Sequence, residues 1–304
     1  MFFFSLRSSY CQAKTSQGKV FWKKRTRFEH YPDISCTKER GSLAFIQLLL
    51  LAQGIEANPG PNQSEGLGAK VNWNEILKAF RQCKEFKDLE KLVDQMPDTG
   101  NIMLNYNKKF PNEQCDLISK AIIPEDCPWK KSECFPIQST ADGDCFFNSL
   151  SRLCFGDQNH STELRVRLII EAVRQKHLYL DNEYLRRGFD GTNNKLAEKY
   201  RELADKFGES LEGAYEAEVM SLCKKGAFCG IWQFFQAANV IDTAIMGIFP
   251  KCEETSLRQH FHRLFLPSSR DKDEIPNPNE IVCIMWTKYS AASNSFDHFV
   301  PVVR

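Results

Sequence analysis

The residues best suited to covalent chemistry are a cysteine and a histidine that lie far apart in the sequence. Cys145 follows a polar turn, Asp142-Gly143-Asp144, and opens an apolar segment that is typical of a helix. At a helix N-terminus, backbone N–H groups and the helix dipole favour the thiolate, so we expect the thiol pKa of Cys145 to lie below its usual value of about 8.5. The same N–H groups can donate hydrogen bonds to an oxyanion. The pattern therefore predicts a nucleophilic cysteine.

A cysteine nucleophile is usually paired with a histidine base, and His298 is one candidate for that base. It begins the segment 298–303, in which valine and aromatic residues predict a strand. His260 and His262 stand without nearby cysteine or acidic ligands, so we expect both on the surface rather than on a metal ion. The sequence thus predicts a Cys–His pair, with no metal and no cofactor.

Twelve cysteines are scattered along 304 residues, a density far below that of a disulfide scaffold. No two of them have the C-x-x-C spacing, so neither a zinc ribbon nor a thioredoxin-like site is predicted. Scattered cysteines are typical of a reducing compartment, where most serve as small buried hydrophobic residues. We therefore expect a protein of the cytoplasm or the nucleus that is not secreted.

Three blocks of the sequence, in order, resemble the ovarian tumour (OTU) family of papain-like cysteine proteases. They are Asp142–Phe147 with Gly156, His160 and Leu164-Arg165, then Gly226–Ala238, then Phe296–Val303. The blocks fall within residues 135–304, which is a typical domain length for this family. The resemblance implies an α+β, papain-like OTU fold with a small central sheet flanked by helices.

The resemblance also assigns roles to single residues. It makes Cys145 the nucleophile and His298 the general base, and afterwards the acid that protonates the leaving amine. Asp142 would shape the oxyanion-binding turn, with the backbone N–H of Cys145 as a donor. Gly143 and Asp144 complete this loop, and Gly143 lets the backbone approach the reacting carbonyl because it has no side chain.

The third member of the catalytic triad departs from the family pattern. Many OTU proteins have Asp or Asn two residues after the histidine, but here that residue is Val300. Asp297 is adjacent to His298, and on a strand its side chain should point to the opposite face. The acceptor for the imidazole could come from the loop around Asn294, from the segment before Pro136, or from a backbone carbonyl.

The function that this resemblance implies is that of a thiol protease, which removes ubiquitin or a ubiquitin-like protein from conjugates by hydrolysing the (iso)peptide bond. Val300 motivates a first alternative, a catalytically weak or inactive OTU-like ubiquitin-binding module. The basic leader described below motivates a second, a mobile-element-derived protein with a nucleic-acid-associated leader. The sequence predicts neither the ubiquitin linkage nor the oligomeric state.

Periodicity predicts the elements that must position these residues. The predicted helices are 144–155, 162–176, 195–223 and 231–239, and the predicted strands are 241–249, 281–287 and 298–303. Helices come first and strands mainly later, which favours an α+β domain. We expect the segments 181–194 and 268–280 to be loops at the rim of the cleft.

The chain divides into three parts. Residues 1–61 form a basic leader, residues 62–134 a linker with a helical extension, and residues 135–304 the catalytic domain. Residues 1–40 hold nine Lys and Arg against three Asp and Glu, whereas the rest of the chain holds 31 against 36. The leader could therefore contact nucleic acid or anionic lipid, or be a solvated, poorly ordered segment. The apolar run Leu43–Ala52 is too short to span a bilayer as a helix, so we expect no membrane segment.

The segment Gly54–Pro61 resembles the 2A-like ribosome-skipping peptides, which end in Asn-Pro-Gly-Pro. The resemblance implies that translation can skip the Gly60–Pro61 bond, because proline is a rigid, poor nucleophile and the strained turn before it misplaces the peptidyl ester. Gly54 stands where these peptides usually have Asp. A plain Pro/Gly linker is the alternative interpretation.

Overall fold

The computed structural model describes most of the chain after residue 70 and two short stretches before it. The described residues are 10–14, 20–24, 71–102, 104, 110, 113–188, 210–252, 255–271, 276–293 and 295–304. They fall into two compact units, Met1–Trp73 and Asn74–Arg304. None of the described helices is long and apolar enough to cross a membrane.

The first unit contains a hairpin within the basic leader. Strand β1 (Tyr10–Lys14) pairs antiparallel with β2 (Val20–Lys24), which the sequence analysis did not predict. The 2A-like segment Gly54–Pro61 lies outside the described residues. Ribosome skipping and nucleic-acid binding by the leader therefore stay predictions.

Ten α-helices and one 3-10 turn are described. They are α1 (Trp73–Phe80), α2 (Phe86–Asp94), α3 (Leu117–Ile122), α4 (Cys145–Phe155), α5 (Ser161–Arg174), α6 (Lys176–Tyr179), α7 (Asn182–Arg186), α8 (Leu211–Leu222), α9 (Ile231–Val240), α10 (Thr255–Phe261) and the 3-10 turn Pro278–Glu280. Helix α4 ends at Gly156, whose φ of +91° is the left-handed conformation that commonly ends a helix.

A five-stranded mixed sheet forms the centre of the second unit. Its strands are β3 (Phe135–Pro136), β4 (Ile245–Ile248), β5 (Arg263–Phe265), β6 (Val282–Thr287) and β7 (His298–Val303), in the spatial order β3-β7-β6-β4-β5. Strands β4 and β6 are parallel, and the other neighbours are antiparallel. In the register of β6 and β7, Thr287 lies opposite His298. The histidine thus lies at the start of an inner strand, whereas the edge strand β3 pairs with the other end of that strand, at Val302 and Val303.

Both faces of the sheet are covered, because successive side chains of a strand point to opposite faces. On one face, Met285 and Val300 belong to an apolar cluster that includes Ile123, just after α3. On the other face, the rings of Trp286 and Phe234 of α9 stack with their centroids 4.2 Å apart. This burial on both faces fixes the end of β7 relative to α3 and α4.

The helical extension packs onto the part of the second unit that contains Cys145 and His298. The amphipathic pair α1 and α2 buries Leu77, Phe80, Phe86, Leu89 and Val93. Arg174 of α5 donates hydrogen bonds to the backbone carbonyls of Met96 and Pro97, which follow α2. The N–H of Ile102 bonds the carbonyl oxygen of Val240 at 3.0 Å. The extension is therefore tied to both α5 and α9.

The structure agrees with the sequence on the long elements and differs on the short ones. The predicted helices at 144–155, 162–176 and 231–239 and the strands at 281–287 and 298–303 are present within a few residues. The predicted strand 241–249 is shorter, and the predicted helix 195–223 begins at Leu211 in the described part of the chain. The rim segment 181–194 was predicted as loop, but it begins with α7. Strands β3 and β5 were missed, because two or three residues carry no periodicity and form strands only through their partners.

Candidate active site

The turn before the candidate nucleophile is built around Asp142. Its carboxylate accepts hydrogen bonds from the backbone N–H of Asp144 and from the side-chain amide of Asn148, both at 3.0 Å. Asn148 also donates to the carbonyl oxygen of Thr140 at 3.1 Å. Asp142 therefore fixes the shape of the turn.

Gly143 occupies a position that only glycine fits. Its φ is +86°, a conformation that L side chains rarely adopt. A Cβ atom at this position would lie 2.4 Å from the Cα of Gly226. The turn and the segment 224–230 are therefore in backbone contact.

Asp144 anchors the turn to a buried arginine. Its carboxylate accepts from the guanidinium of Arg165, which is 1% exposed, and more weakly from the N–H of Gly226 at 3.4 Å. Arg165 also donates to the carbonyl oxygens of Leu222 and Lys224 at 2.8 and 3.0 Å. A charge buried to this extent needs such partners. The sequence resemblance included Arg165 but gave no signal of this role, because the partners belong to two segments that are distant from Arg165 in the sequence.

Cys145 is the first residue of α4, and its thiol is close to backbone N–H groups. The backbone groups of Phe299, Phe146 and Cys145 itself lie near the sulfur and act to lower the pKa of the thiol. Burial has the larger effect, however, because the side chain is only 9% exposed, and it raises the pKa of the Cys145 thiol to about 11. The expectation of a lowered pKa was therefore wrong. Here the loss of hydration destabilises the thiolate by more than the helix terminus stabilises it.

Two serines fix the backbone of Cys145. The hydroxyl groups of Ser139 and Ser149 both donate to its carbonyl oxygen, at 3.3 and 2.7 Å. The Ser149 hydroxyl also lies 3.1 Å from the carbonyl oxygen of Phe299. These contacts tie the N-terminal turn of α4 to the residue that follows His298 on β7.

His298 is buried and hydrogen-bonded to the main chain. It is 5% exposed, and the backbone carbonyl of Ser139 bonds its imidazole. Burial lowers the pKa of His298 below its usual range, while the negative charge of Asp116, this hydrogen bond and the charges of Asp297 and Asp142 act in the opposite direction. Ser139 therefore contacts both candidate residues, Cys145 through its hydroxyl and His298 through its carbonyl.

The orienting group was left open by the sequence, and the structure limits the choice. Val300 is fully buried in the apolar cluster of the sheet. Asp297 accepts from the N–H of Tyr289 at 3.4 Å and from the hydroxyl of Ser295 at 2.8 Å, so it organises its own loop. Asn294 lies outside the described residues. The backbone of Ser139 is the main-chain group that acts on the imidazole, and it raises the pKa of His298.

Asp116 is an acidic neighbour of His298 that the sequence analysis did not single out. It is the N-cap of α3, and its carboxylate accepts from the N–H of Ser119 at 2.7 Å. The hydroxyl of Ser119 bonds that of Thr287, the residue opposite His298, at 2.8 Å. A signal was present, because Asp before a short apolar run is typical of a helix start. Its position beside the histidine depends on the fold.

Among the residues that the structure describes, the other histidines and acids form no metal site. His260 is 4% exposed, and His262 accepts through Nδ1 from the N–H of Phe249 at 3.2 Å, so the prediction that both lie on the surface was wrong. The cause is the turn after α10, which folds back over Phe249. Within the described ranges, no group of three or more His, Cys, Asp or Glu side chains could hold a metal ion.

This arrangement can support a neutral Cys–His mechanism. With the pKa of the thiol raised and that of the imidazole lowered, both groups are uncharged near neutral pH. The proton would then leave sulfur as the sulfur attacks a carbonyl, instead of being transferred beforehand. The backbone N–H groups at the start of α4 are the available donors for an oxyanion.

Comparison with protein families gives a match to the family described as "Vertnin, OTU domain". The match covers residues 136–287, half of the chain. Vertnin of Homo sapiens is 24% identical over 242 residues, which cover 75% of this chain and 33% of that protein. Vertnin of Bos taurus is 26% identical over 242 residues, with 75% and 35% covered, and that of Danio rerio is 25% identical over 234 residues, with 73% and 33% covered. The chain spans about a third of the length of these relatives.

Solved OTU domains are also similar to this chain. The OTU domain of OTUD1 has 14% sequence identity and a TM-score of 0.30, covering 57% of this chain and 88% of that domain. The viral OTU domain protease of Farallon virus has 15% identity and a TM-score of 0.31, covering 56% and 83%. The assignment of the α+β, papain-like OTU fold rests on the family match and the mixed sheet described above. The chain therefore belongs to the Vertnin OTU-domain family.

Proposed function

We propose that this protein is an OTU-like thiol hydrolase that acts on conjugates of ubiquitin or a ubiquitin-like protein in a reducing compartment. One observation carries the proposal. The thiol of Cys145, at the start of α4, lies against the backbone of Phe299, the residue directly after His298. The sulfur thus lies beside backbone donors and one residue along β7 from a histidine, and acyl transfer by a thiol requires such donors and such a base.

In the proposed reaction, the proton of the Cys145 thiol passes to the imidazole of His298 while sulfur bonds the carbonyl carbon at the end of ubiquitin. The C–N bond then breaks, and the imidazolium gives its proton to the leaving amine. Water adds to the thioester, releasing the ubiquitin carboxylate and restoring the thiol. The negative charge of Asp116 would stabilise the transient imidazolium. It would take the role of the acidic residue that many OTU proteins have at the position of Val300.

The test is hydrolysis of a ubiquitin carboxy-terminal amide that releases a fluorophore. We expect slow but measurable turnover by the full chain, because the thiol is neutral at pH 7. Turnover should fall by about a hundredfold or more in Cys145→Ala and in His298→Ala, since proton transfer contributes about 10²–10⁴-fold. Turnover that is equal in the wild type and Cys145→Ala would refute the proposal.

A second function is favoured by the burial of the thiol. Cys145 is 9% exposed with its pKa raised to about 11, and Val300 is a core residue, so a non-hydrolytic ubiquitin-binding module is the alternative. This alternative predicts saturable, reversible ubiquitin binding that is the same in the wild type and in Cys145→Ala. It also predicts no turnover, and turnover that depends on Cys145 would exclude it.

A further inference from the structure

An exposed aromatic side chain lies beside the candidate catalytic histidine. The ring of Tyr289 is edge-on to that of His298, with centroids 6.4 Å apart and an interplanar angle of 82°. The side chain of Tyr289 is 66% exposed. Few large hydrophobic side chains in the described part of the chain are exposed to this extent. A large apolar surface next to reactive groups is a candidate contact for substrate.

Hydrogen bonds connect Tyr289 with the residue that precedes His298. The N–H of Tyr289 donates to one carboxylate oxygen of Asp297 at 3.4 Å, and the hydroxyl of Ser295 donates to the other at 2.8 Å. Asp297 directly precedes His298. The same carboxylate therefore links the tyrosine to the start of β7.

A second exposed apolar residue lies at the same end of the sheet. Leu117 is 77% exposed and opens α3, directly after Asp116. The bond between the hydroxyl groups of Ser119 and Thr287 holds this first turn against the residue opposite His298. The end of the sheet that carries the imidazole thus has an apolar side chain on α3 as well as one after β6.

We infer that Tyr289 contacts the leaving-group side of the substrate and packs on the methylene stem of the lysine whose ε-amine is released. The inference rests on the proposed function, in which His298 must reach the leaving nitrogen to protonate it. Side chains that flank the imidazole therefore face the leaving group. A lysine offers four methylene groups to an aromatic surface, and its ammonium group is attracted to the ring after release.

The inference predicts a preference among leaving groups, which two substrates with the same ubiquitin part can measure. One is ubiquitin joined by an isopeptide bond to a lysine in a fluorescent peptide, and the other is ubiquitin fused to a peptide that begins with glycine. In Tyr289→Ala, kcat/KM should fall about tenfold for the lysine substrate and less than twofold for the glycine substrate. Tyr289→Phe should restore the preference, because the ring makes the contact. Equal losses for both substrates would overturn the inference.

Failure of the proposed function can be told apart from failure of this inference. If the wild type hydrolyses neither substrate, the proposed function fails, and the same two conjugates are used to measure binding to Cys145→Ala. Tighter binding of the lysine conjugate, lost when Tyr289→Ala is added, would still support the contact. Equal binding of both conjugates, or binding of neither, would overturn it. An unchanged melting temperature of Tyr289→Ala separates these effects from misfolding.

Discussion

Gly143 and Gly226 are in backbone contact, so that a Cβ atom on Gly143 would lie 2.4 Å from the Cα of Gly226. This contact joins the turn before Cys145 to the segment between α8 and α9. Both residues have positive φ, +86° and +77°. The geometry of the candidate active site thus depends on two segments that are far apart in the sequence.

Gly143→Ala should destabilise the protein and reduce Cys145-dependent turnover. The methyl group adds a backbone clash to the strain of positive φ, and we expect the free energy of unfolding to fall by about 2–4 kcal/mol. Gly226→Ala is the matched control, because its Cβ would meet no atom within 4 Å and only the strain of about 1–2 kcal/mol applies. Chemical denaturation measures both, and equal losses would contradict the contact.

Asp144→Asn should lower the free energy of unfolding by more than the loss of an ordinary ion pair does. It leaves the buried guanidinium of Arg165 without its carboxylate, and we expect a loss of about 3 kcal/mol in the free energy of unfolding. The exposed pair of Lys78 and Glu75 provides the control, since Glu75→Gln should cost less than about 1 kcal/mol. A double variant, Asp144→Asn with Arg165→Met, should recover part of the loss. A cost for Asp144→Asn as small as that of the control would disprove the anchoring role.

The alkylation rate of Cys145 should keep rising with pH well beyond neutrality. Because burial raises the pKa of its thiol to about 11, the thiolate fraction grows roughly tenfold per pH unit between pH 7 and 10. Iodoacetamide labelling followed by mass spectrometry of the Cys145 peptide measures this rate. Glutathione is the reference and should level off near pH 9. A plateau for Cys145 near pH 7 would instead indicate a thiolate paired with a protonated His298.

Glu218 should make the protein less stable as the pH rises from about 4.5 to 7. Burial raises the pKa of this carboxyl from its ordinary 4.5 to about 7, an effect that the nearby side chain of Gln233 partly offsets. The folded state therefore binds more protons than the unfolded state in this window, and the stabilisation present below pH 4.5 is lost as the pH approaches 7. The loss should be about 3 kcal/mol.

Glu218→Gln should remove this pH dependence and stabilise the protein at pH 8 relative to the wild type. Thermal unfolding of both proteins at pH 5 and pH 8 measures the effect. If the wild type were at least as stable at pH 8 as at pH 5, with Glu218→Gln following the same course, the carboxyl would not be buried as described.

The sequence located the candidate residues because their signals are local. Cys145 and Asp142 are separated by two residues, and the long elements α4, α5, α9, β6 and β7 carry enough periodicity to be predicted. Gly143 was expected to allow close approach, and its partner turned out to be Gly226 of the same chain.

The missed features depend on contacts between distant segments. Arg165 meets Asp144 across 21 residues, and Ser119 meets Thr287 across 168, so neither pair leaves a local pattern. The pKa of Cys145 was predicted from its helix terminus, but it is governed by burial under β7, which spacing does not reveal. The short strand β3 was missed for the same reason, because it is a strand only through its pairing with β7.

The most direct test of the proposed chemistry is covalent capture of the full chain by ubiquitin that carries a carboxy-terminal alkyne electrophile. We predict one adduct, mapped to Cys145 by mass spectrometry, that is lost in Cys145→Ala and retained in Cys83→Ala. Cys83→Ala is the control, because it removes a partly exposed cysteine from the connection between α1 and α2. Absence of any adduct in the wild type, or an adduct that survives in Cys145→Ala, would contradict the assignment of Cys145 as the nucleophile.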